Sequence, residues 1–292
     1  MHLADPSRTR LAVLGSPIGH SLSPTLHAAA YDVLGLPFEY GRHEVGDGAL
    51  PAFVEQLGVG APGWRGLSLT MPLKREVLPL LDRITPLVDE LGVANTLRFV
   101  DEGDAVLLSG ANTDVDGIVR PVRALGHRPG TATILGGGAT AASALSACVR
   151  LGVTAVRVFL RDTARGTHLV ELATRIGVRL ELATLDALGS GGAHGFVVST
   201  LPGGTADLLP VTPAGSDAVL LDVAYDPWPS ALAEQWRADG GRVLSGLDML
   251  AEQAVGQIRF FVSGDDETLL PDEDVVRRRM RTSVGLPPVI EG

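Results

Sequence analysis

Lys74 is the one lysine among 24 Lys and Arg residues; the other 23 are arginines. Arginine stays charged in any protein environment, whereas a lysine amine can release and recover a proton. A chain that keeps a single amine points to proton transfer there, and the neighbouring residues must supply the rest of the chemistry. Gly136-Gly137-Gly138-Ala139-Thr140-Ala141 fits the G-x-G-x-x-[GA] spacing of a dinucleotide-binding turn. Gly136 permits the tight turn, Gly138 lets a pyrophosphate approach the backbone, and Ala141 lets helix and strand pack closely. The helix that follows offers free N–H groups and a positive end to phosphate. After the next strand, Leu160-Arg161-Asp162-Thr163-Ala164-Arg165 contains both kinds of ribose-reading residue. Arg161 and Arg165 are spaced to clamp a 2′-phosphate, which favours NADP, while Asp162 leaves NAD open.

His20-Ser21-Leu22-Ser23-Pro24 sets two hydroxyls just after the first strand-like run. Ser23 before Pro24 reads as a helix N-cap, a duty that Ser21 does not share. Asn95-Thr96 and Asn112-Thr113-Asp114 each lie beside an apolar run. With Lys74 and the two serines, they supply the donors and acceptors that a small polyhydroxylated carboxylate needs.

The elements that must hold these groups follow from periodicity and punctuation. Strands are expected at 11–15, 38–45 and 66–70, and Gly35 closes the helix opened by Ser23. Pro72 is expected to open a helix carrying Lys74. Residues 95–100 and 106–109 flank Asp101-Glu102-Gly103-Asp104 as a hairpin. A helix over 114–125 ends at Gly126. Beyond Pro129-Gly130 the chain reads strand, glycine turn, helix, strand: strands at 131–135, 153–160, 178–182, 196–199 and 218–223, with helices at 141–151 and 164–176. The fold class is therefore α/β, with an N-terminal α/β domain and a Rossmann-like, doubly wound parallel domain. The expected boundaries are 1–115, 116–245 and 246–292, the last segment being helices that pack back on the first domain.

At 292 residues, two domains are the prior, and 45% hydrophobic content suffices for their cores. The net charge of −10 repels nucleic acid. Arg277, Arg278, Arg279 and Arg281 follow acidic runs and read as a last helix with paired charges. Cys148 is the only cysteine, so no disulfide framework exists. No signal peptide is read, and apolar stretches stop short of the roughly 18–20 residues of a membrane span. A cytoplasmic protein is expected, without membrane, nucleic-acid or metal partners, as monomer or homodimer.

The motifs occur in a recognisable order. Gly15-Ser16-Pro17-Ile18 with His20–Pro24, Thr70-Met71-Pro72-Leu73-Lys74, Ala94-Asn95-Thr96, Asn112–Asp114, the glycine turn, and Gly246-Leu247-Asp248-Met249-Leu250 with Gln253 together resemble the shikimate/quinate dehydrogenase family. The resemblance covers about residues 11–262. It implies NADPH-linked, reversible reduction of 3-dehydroshikimate to shikimate in aromatic amino-acid biosynthesis. It further implies Lys74 and Asp114 as the catalytic pair, and Ser21 and Ser23 on the substrate carboxylate near Tyr225. Thr70, Asn95 and Gln253 would surround the ring hydroxyls. Gly136, Gly137, Gly138, Ala139, Thr140, Arg161, Asp162, Arg165, Thr200 and Gly246 would hold the cofactor. Ser68 stands where the family commonly has Asn, Ala111 where an acid is usual, and Val198-Ser199-Thr200 where Asn-Ala-Thr is frequent.

Hydride reduction of a ketone builds negative charge on oxygen. A Lys74 ammonium would stabilise and protonate it while Asp114 holds the amine. The nearest alternative is a quinate/shikimate or aminoshikimate dehydrogenase using NAD(H). A remote one is a non-catalytic nucleotide sensor.

Overall fold

The computed structural model describes residues 9–57, 63–190 and 192–290. Its described residues separate into two compact units, the first made of those up to Thr113 plus Gln253–Val289, the second of those within Asp114–Glu252 with Ile290.

The first unit contains β1 (Thr9–Gly15), α1 (Ser23–Leu34), β2 (Phe38–Glu44), α2 (Leu50–Gln56), β3 (Trp64–Leu69), β4 (Arg83–Ile84), α3 (Pro86–Leu91), β5 (Thr96–Asp101) and β6 (Val106–Ala111). Its described strands lie in the order β2-β1-β3-β5-β6-β4. β1 runs parallel to β2 and β3, whereas β5 is antiparallel to both β3 and β6. The central position of β1 explains its composition: Leu11 to Leu14 are buried, as a parallel strand covered on both faces requires. One face packs Ala12, Leu14, Leu67, Leu69, Leu97 and Phe99 against Leu50, Leu73, Val77 and Val88. The β5–β6 hairpin forms as expected, with Gly103 at φ 84° and its N–H donating to Asp101 Oδ1 at 2.9 Å.

The second unit holds α4 (Asp114–Ala124), β7 (Thr131–Leu135), α5 (Ala139–Arg150), β8 (Ala155–Leu160), α6 (Thr167–Ile176), β9 (Arg179–Thr184), β10 (Phe196–Ser199), β11 (Val219–Asp222), α7 (Ala231–Ala238) and β12 (Arg242–Ser245). The strands are parallel and ordered β12-β11-β10-β7-β8-β9. Renumbered from β7, that is 3-2-1-4-5-6 read from the other edge, the doubly wound dinucleotide-binding order. α8 (Gly246–Ser263) contains the second boundary between units, and α9 (Glu273–Ser283) packs on α1 in the first.

Two local expectations are corrected. Ser23 does not cap α1: Leu26 N–H already bonds the Leu22 carbonyl at 3.1 Å, so the ladder starts one residue earlier and Ser23 lies inside the first turn. Nor does Lys74 ride on a helix. Residues 71–77 form successive turns, because the Lys74 carbonyl accepts from Ala94 N–H at 2.9 Å and Leu78 N–H turns to Arg75 at 3.2 Å. The short elements α2, α3, β4, α7 and β12 add to those expected from periodicity.

The expected charged last helix is α9, although Arg281 is buried rather than solvated. α9 is fastened to α8 by Glu273. Arg259 donates to both its carboxylate oxygens, at 2.6 and 2.7 Å, and Arg277 adds a bond of 2.8 Å. The Arg259 side chain is only 3% exposed. Removing one member of a buried pair strands the other, at a typical cost of about 3–5 kcal/mol. Glu273→Ala is therefore expected to lower the unfolding temperature by about 10 °C in calorimetry. A change under about 2 °C would show that the pair does not hold α9.

Candidate functional site

In the first unit the chemistry-bearing residues gather at the carboxyl ends of β1 and β3, where open α/β sheets present ligand sites. Gly15 ends β1. A Cβ there would overlap the Thr70 methyl group and lie 2.8 Å from the Met71 carbonyl, so only glycine lets the two segments meet. Ser16 N–H donates to Met71 O at 2.9 Å and Thr70 N–H to Leu14 O at 2.9 Å. The segment carrying Thr70 and Lys74 is thereby laced to the end of β1. Lys74, 8% exposed, is tied through its carbonyl to Ala94, the residue before Asn95.

The irregular loop with Ser21 is clasped by two side chains of β2. Glu44 accepts from Ser16 Oγ at 2.6 Å and from Ile18 N–H at 3.0 Å. Arg42 donates to the Gly19 carbonyl and, at 3.4 Å, to that of Ser21. Ser21 Oγ accepts from Ser23 N–H at 3.3 Å, which brings the two expected carboxylate ligands together.

Asn95 is a hub. Its Oδ1 accepts from Thr113 N–H at 3.0 Å and from Thr96 Oγ at 2.8 Å. Its Nδ2 donates to Thr113 Oγ1 at 2.9 Å and to Gln253 Oε1 at 3.3 Å. Behind it runs a second polar chain. Tyr40 donates to Ser68 Oγ at 2.6 Å, and Ser68 donates to Gln257 Oε1 at 2.8 Å. Gln257 Nε2 reaches the Asn95 carbonyl at 3.4 Å. His27 lies with Nε2 3.3 Å from Gln257 Oε1 and Nδ1 2.9 Å from the Tyr31 hydroxyl. Gln257 Oε1 can only accept, so Nε2 carries the imidazole proton and Tyr31 donates to Nδ1. The His27 ring also stacks on Tyr40 at 3.8 Å between centroids. Burial drives the His27 pKa down to about 3, against the opposing effect of its bond to Gln257. Burial likewise pushes Tyr31 and Tyr40 above the usual phenol range.

The second unit builds the glycine turn between β7 and α5. Gly136 has φ 102°, and a Cβ there would lie 2.6 Å from Thr200 Oγ1. Thr200 is in turn fixed by its N–H and its hydroxyl, both 2.8 Å from the Leu135 carbonyl. Gly137 packs on Leu160, Gly138 is the residue before α5 with open space where its Cβ would stand, and Ala141 is buried. Ala139 and Thr140 form the first turn of α5. Arg161 and Arg165 are exposed after β8. Asp162 caps the turn between them, accepting from Ala164 N–H at 3.0 Å. Its carboxylate thus serves the backbone.

Asp114 opens α4 and is 3% exposed. Tyr225 is half-buried in the loop after β11. Asp222 braces that loop, with Ala224 N–H on Oδ1 at 3.3 Å and Ser230 Oγ on Oδ2 at 2.6 Å. Gly246 opens α8 where any side chain would strike the Val223 carbonyl. Ser245 and Asp248 cap that helix reciprocally.

Comparison with known proteins identifies the family. Residues 13–97, which include Ser21, Ser23, Thr70, Lys74 and Asn95, match the family model described as the shikimate dehydrogenase substrate binding domain. A shikimate dehydrogenase (NADP(+)) of Oleidesulfovibrio alaskensis is 34% identical over 269 residues, spanning 87% of this chain and 90% of that protein. The chain belongs to the shikimate dehydrogenase family. The crystal structure of Mycobacterium tuberculosis shikimate dehydrogenase is 39% identical, with TM-score 0.78 over 94% of this chain and 99% of its own. That of the Thermus thermophilus enzyme in complex with NADP(H) and shikimate is 29% identical, with TM-score 0.74 over 94% and 99%.

Within this shikimate dehydrogenase fold, sequence reasoning missed Arg42, Glu44, His27, Tyr40 and Gln257. The available signal was weak: charged residues alternating on β2, and glutamines one helical turn apart at 253 and 257. His27 yields a test. Its folded pKa lies below its unfolded value near 6.5, so the unfolded chain takes up the proton first as pH falls. The stability it contributes is complete above pH 6.5 and is lost progressively toward pH 3. The wild type should lose up to about 1.4 kcal/mol per pH unit more than His27→Gln between pH 6 and 4, read by urea unfolding. Parallel pH profiles would refute a buried neutral imidazole.

Proposed function

We propose that this chain catalyses the reversible reduction of 3-dehydroshikimate to shikimate with NADPH, the shikimate dehydrogenase step of aromatic amino-acid biosynthesis. The observation that carries the reading is the family relationship, which spans 90% of a relative named as NADP(+)-dependent. The site residues and the domain roles are part of the proposal: substrate on the first unit, dinucleotide on the glycine turn of the second. A monomeric or homodimeric state in the cytoplasm belongs to it as well; no described helix is long and apolar enough to cross a membrane.

In this reading Ser21 and Ser23 hold the substrate carboxylate, with Tyr225 as a further hydroxyl. Thr70, Asn95 and Gln253 meet the ring hydroxyls. Both Asn95 Nδ2 protons are already engaged, so a ring hydroxyl enters by replacing the longer bond, the one to Gln253. Lys74 stabilises and protonates the developing alkoxide, and Asp114 steadies the amine. NADPH supplies the hydride. Gly136 to Thr140 and the N-terminus of α5 receive its pyrophosphate, with Thr200 and Gly246 completing the pocket. Arg161 and Arg165 read the 2′-phosphate, and Asp162, turned to Ala164 N–H, leaves them free to do so. The alternative of an NAD-linked quinate or aminoshikimate dehydrogenase rests on Asp162.

Initial rates at 340 nm over shikimate, quinate, NADP and NAD test the reading; turnover with quinate and NAD alone would replace it. Lys74→Arg keeps charge but offers no usable proton, so turnover should fall at least about 100-fold with little change in substrate affinity. Near-normal turnover would remove Lys74 from catalysis. Arg161→Ala combined with Arg165→Ala should raise the NADPH KM by roughly 10-fold or more while leaving NADH unaffected. Equal effects on both cofactors would place the 2′-phosphate elsewhere.

A further inference from the structure

The parallel sheet of the second unit changes character along one face. Ser199, Leu135, Phe159 and Ala183 lie side by side across β10, β7, β8 and β9. Leu135, Phe159 and Ala183 pack with Leu185 and Leu188 in an apolar cluster. Side chains on one face recur every second residue. Two residues toward the strand starts, the same face presents Val197, Thr133, Arg157 and Glu181. Two more bring Thr131, Ala155 and Arg179. The Arg157 and Glu181 side chains are 40% and 61% exposed, so this end of the face is open to solvent, whereas the apolar row is covered.

The polar rows line a cavity of about 310 Å³, walled also by His194. That volume is at the small end of the roughly 300–1,000 Å³ of small-molecule sites. Arg157 binds Glu181 Oε2 through Nε at 3.1 Å and Nη2 at 2.9 Å, neutralising the one carboxylate of the lining. Arg179 has no ion-pair partner among the described residues. His194 is 7% exposed, with Nδ1 2.9 Å from Thr133 Oγ1. Its enclosed Nε2 has no partner among the described residues, a state that buried polar atoms rarely keep.

We propose that this cavity is a binding site for a small dianion, a phosphate monoester or a dicarboxylate, held by the guanidinium groups of Arg179 and Arg157. Two arginines against one carboxylate leave a local charge of +1 within a chain of net charge −10. Planar guanidinium forks match carboxylate and phosphate in pairs of hydrogen bonds. Thr131 adds a hydroxyl, and Ala155 between them leaves room. The site lies at the strand starts, whereas the glycine turn follows the carboxyl end of β7, so its occupant does not compete with a dinucleotide. It is independent of the reaction proposed above.

Calorimetric titration of the full chain with inorganic phosphate, and separately with malonate, tests the site, with saturating NADP+ present to fill the Arg161 and Arg165 clamp. One saturable site is expected, and the tighter anion identifies the ligand class. Arg179→Met should weaken it by roughly tenfold. Glu181→Gln should tighten it, because Arg157 is released from its competitor; a purely structural role for the pair predicts no such gain. Neither variant should alter the rate of ketone reduction, so the outcome is separate from that of the catalytic reading. Uptake of neither anion, or affinities equal in all three proteins, would mean an adventitious ion only and overturn the proposal.

Discussion

The Asn95 carboxamide has two protons and two acceptor positions, and all four are engaged within the first unit. An amide so enclosed cannot rotate without breaking several bonds in a medium where none is replaced by water. Its orientation is therefore set by Thr96, Thr113 and Gln253 together, residues drawn from β5, the segment after β6, and α8. Lys74 is tied to the same point through Ala94. The candidate site is thus registered on one side chain, and the elements of the unit are arranged so that three separate parts of the chain can reach it.

The second unit meets a different constraint, that of backbone approach. The turn after β7 works because nothing protrudes from it: Gly136 must avoid Thr200, Gly137 must avoid Leu160, and Gly138 leaves open space before α5. Polar side chains there hold shape rather than line the turn. Thr200 is bound to Leu135, Asp162 to Ala164, and Asp222 to the loop that carries Tyr225. Burial raises the Asp222 pKa, opposed by the donors it receives from Ser230 and Ala224. That acceptance of a buried charge fits a residue retained for the geometry of its loop.

What could be read from the residues alone was what local pattern controls. β7 and β10 have the limits expected from their apolar runs, and Gly35 and Gly103 take the positive φ that their turns require. The failures were local patterns overruled, one by a distant partner and one by an adjacent carbonyl. Pro72 suggested a helix, but the Lys74 carbonyl is claimed by Ala94. Ser23 looked like a cap, but the helix begins before it. The Tyr40–Ser68–Gln257–His27 chain was illegible because its bonds join residues 28, 189 and 230 positions apart. No periodicity in a single sequence reports such pairings.

The solitary lysine has a practical corollary. Apart from the chain's own amino terminus, Lys74 carries the one aliphatic amine of the molecule, and its side chain is enclosed at 8% exposure. Isotope supplied as lysine would therefore enter at one position, and its side chain would give an unassisted, already assigned magnetic-resonance signal. Few enzymes allow the ionisation of a buried amine to be followed without first deleting its competitors; here composition has removed them.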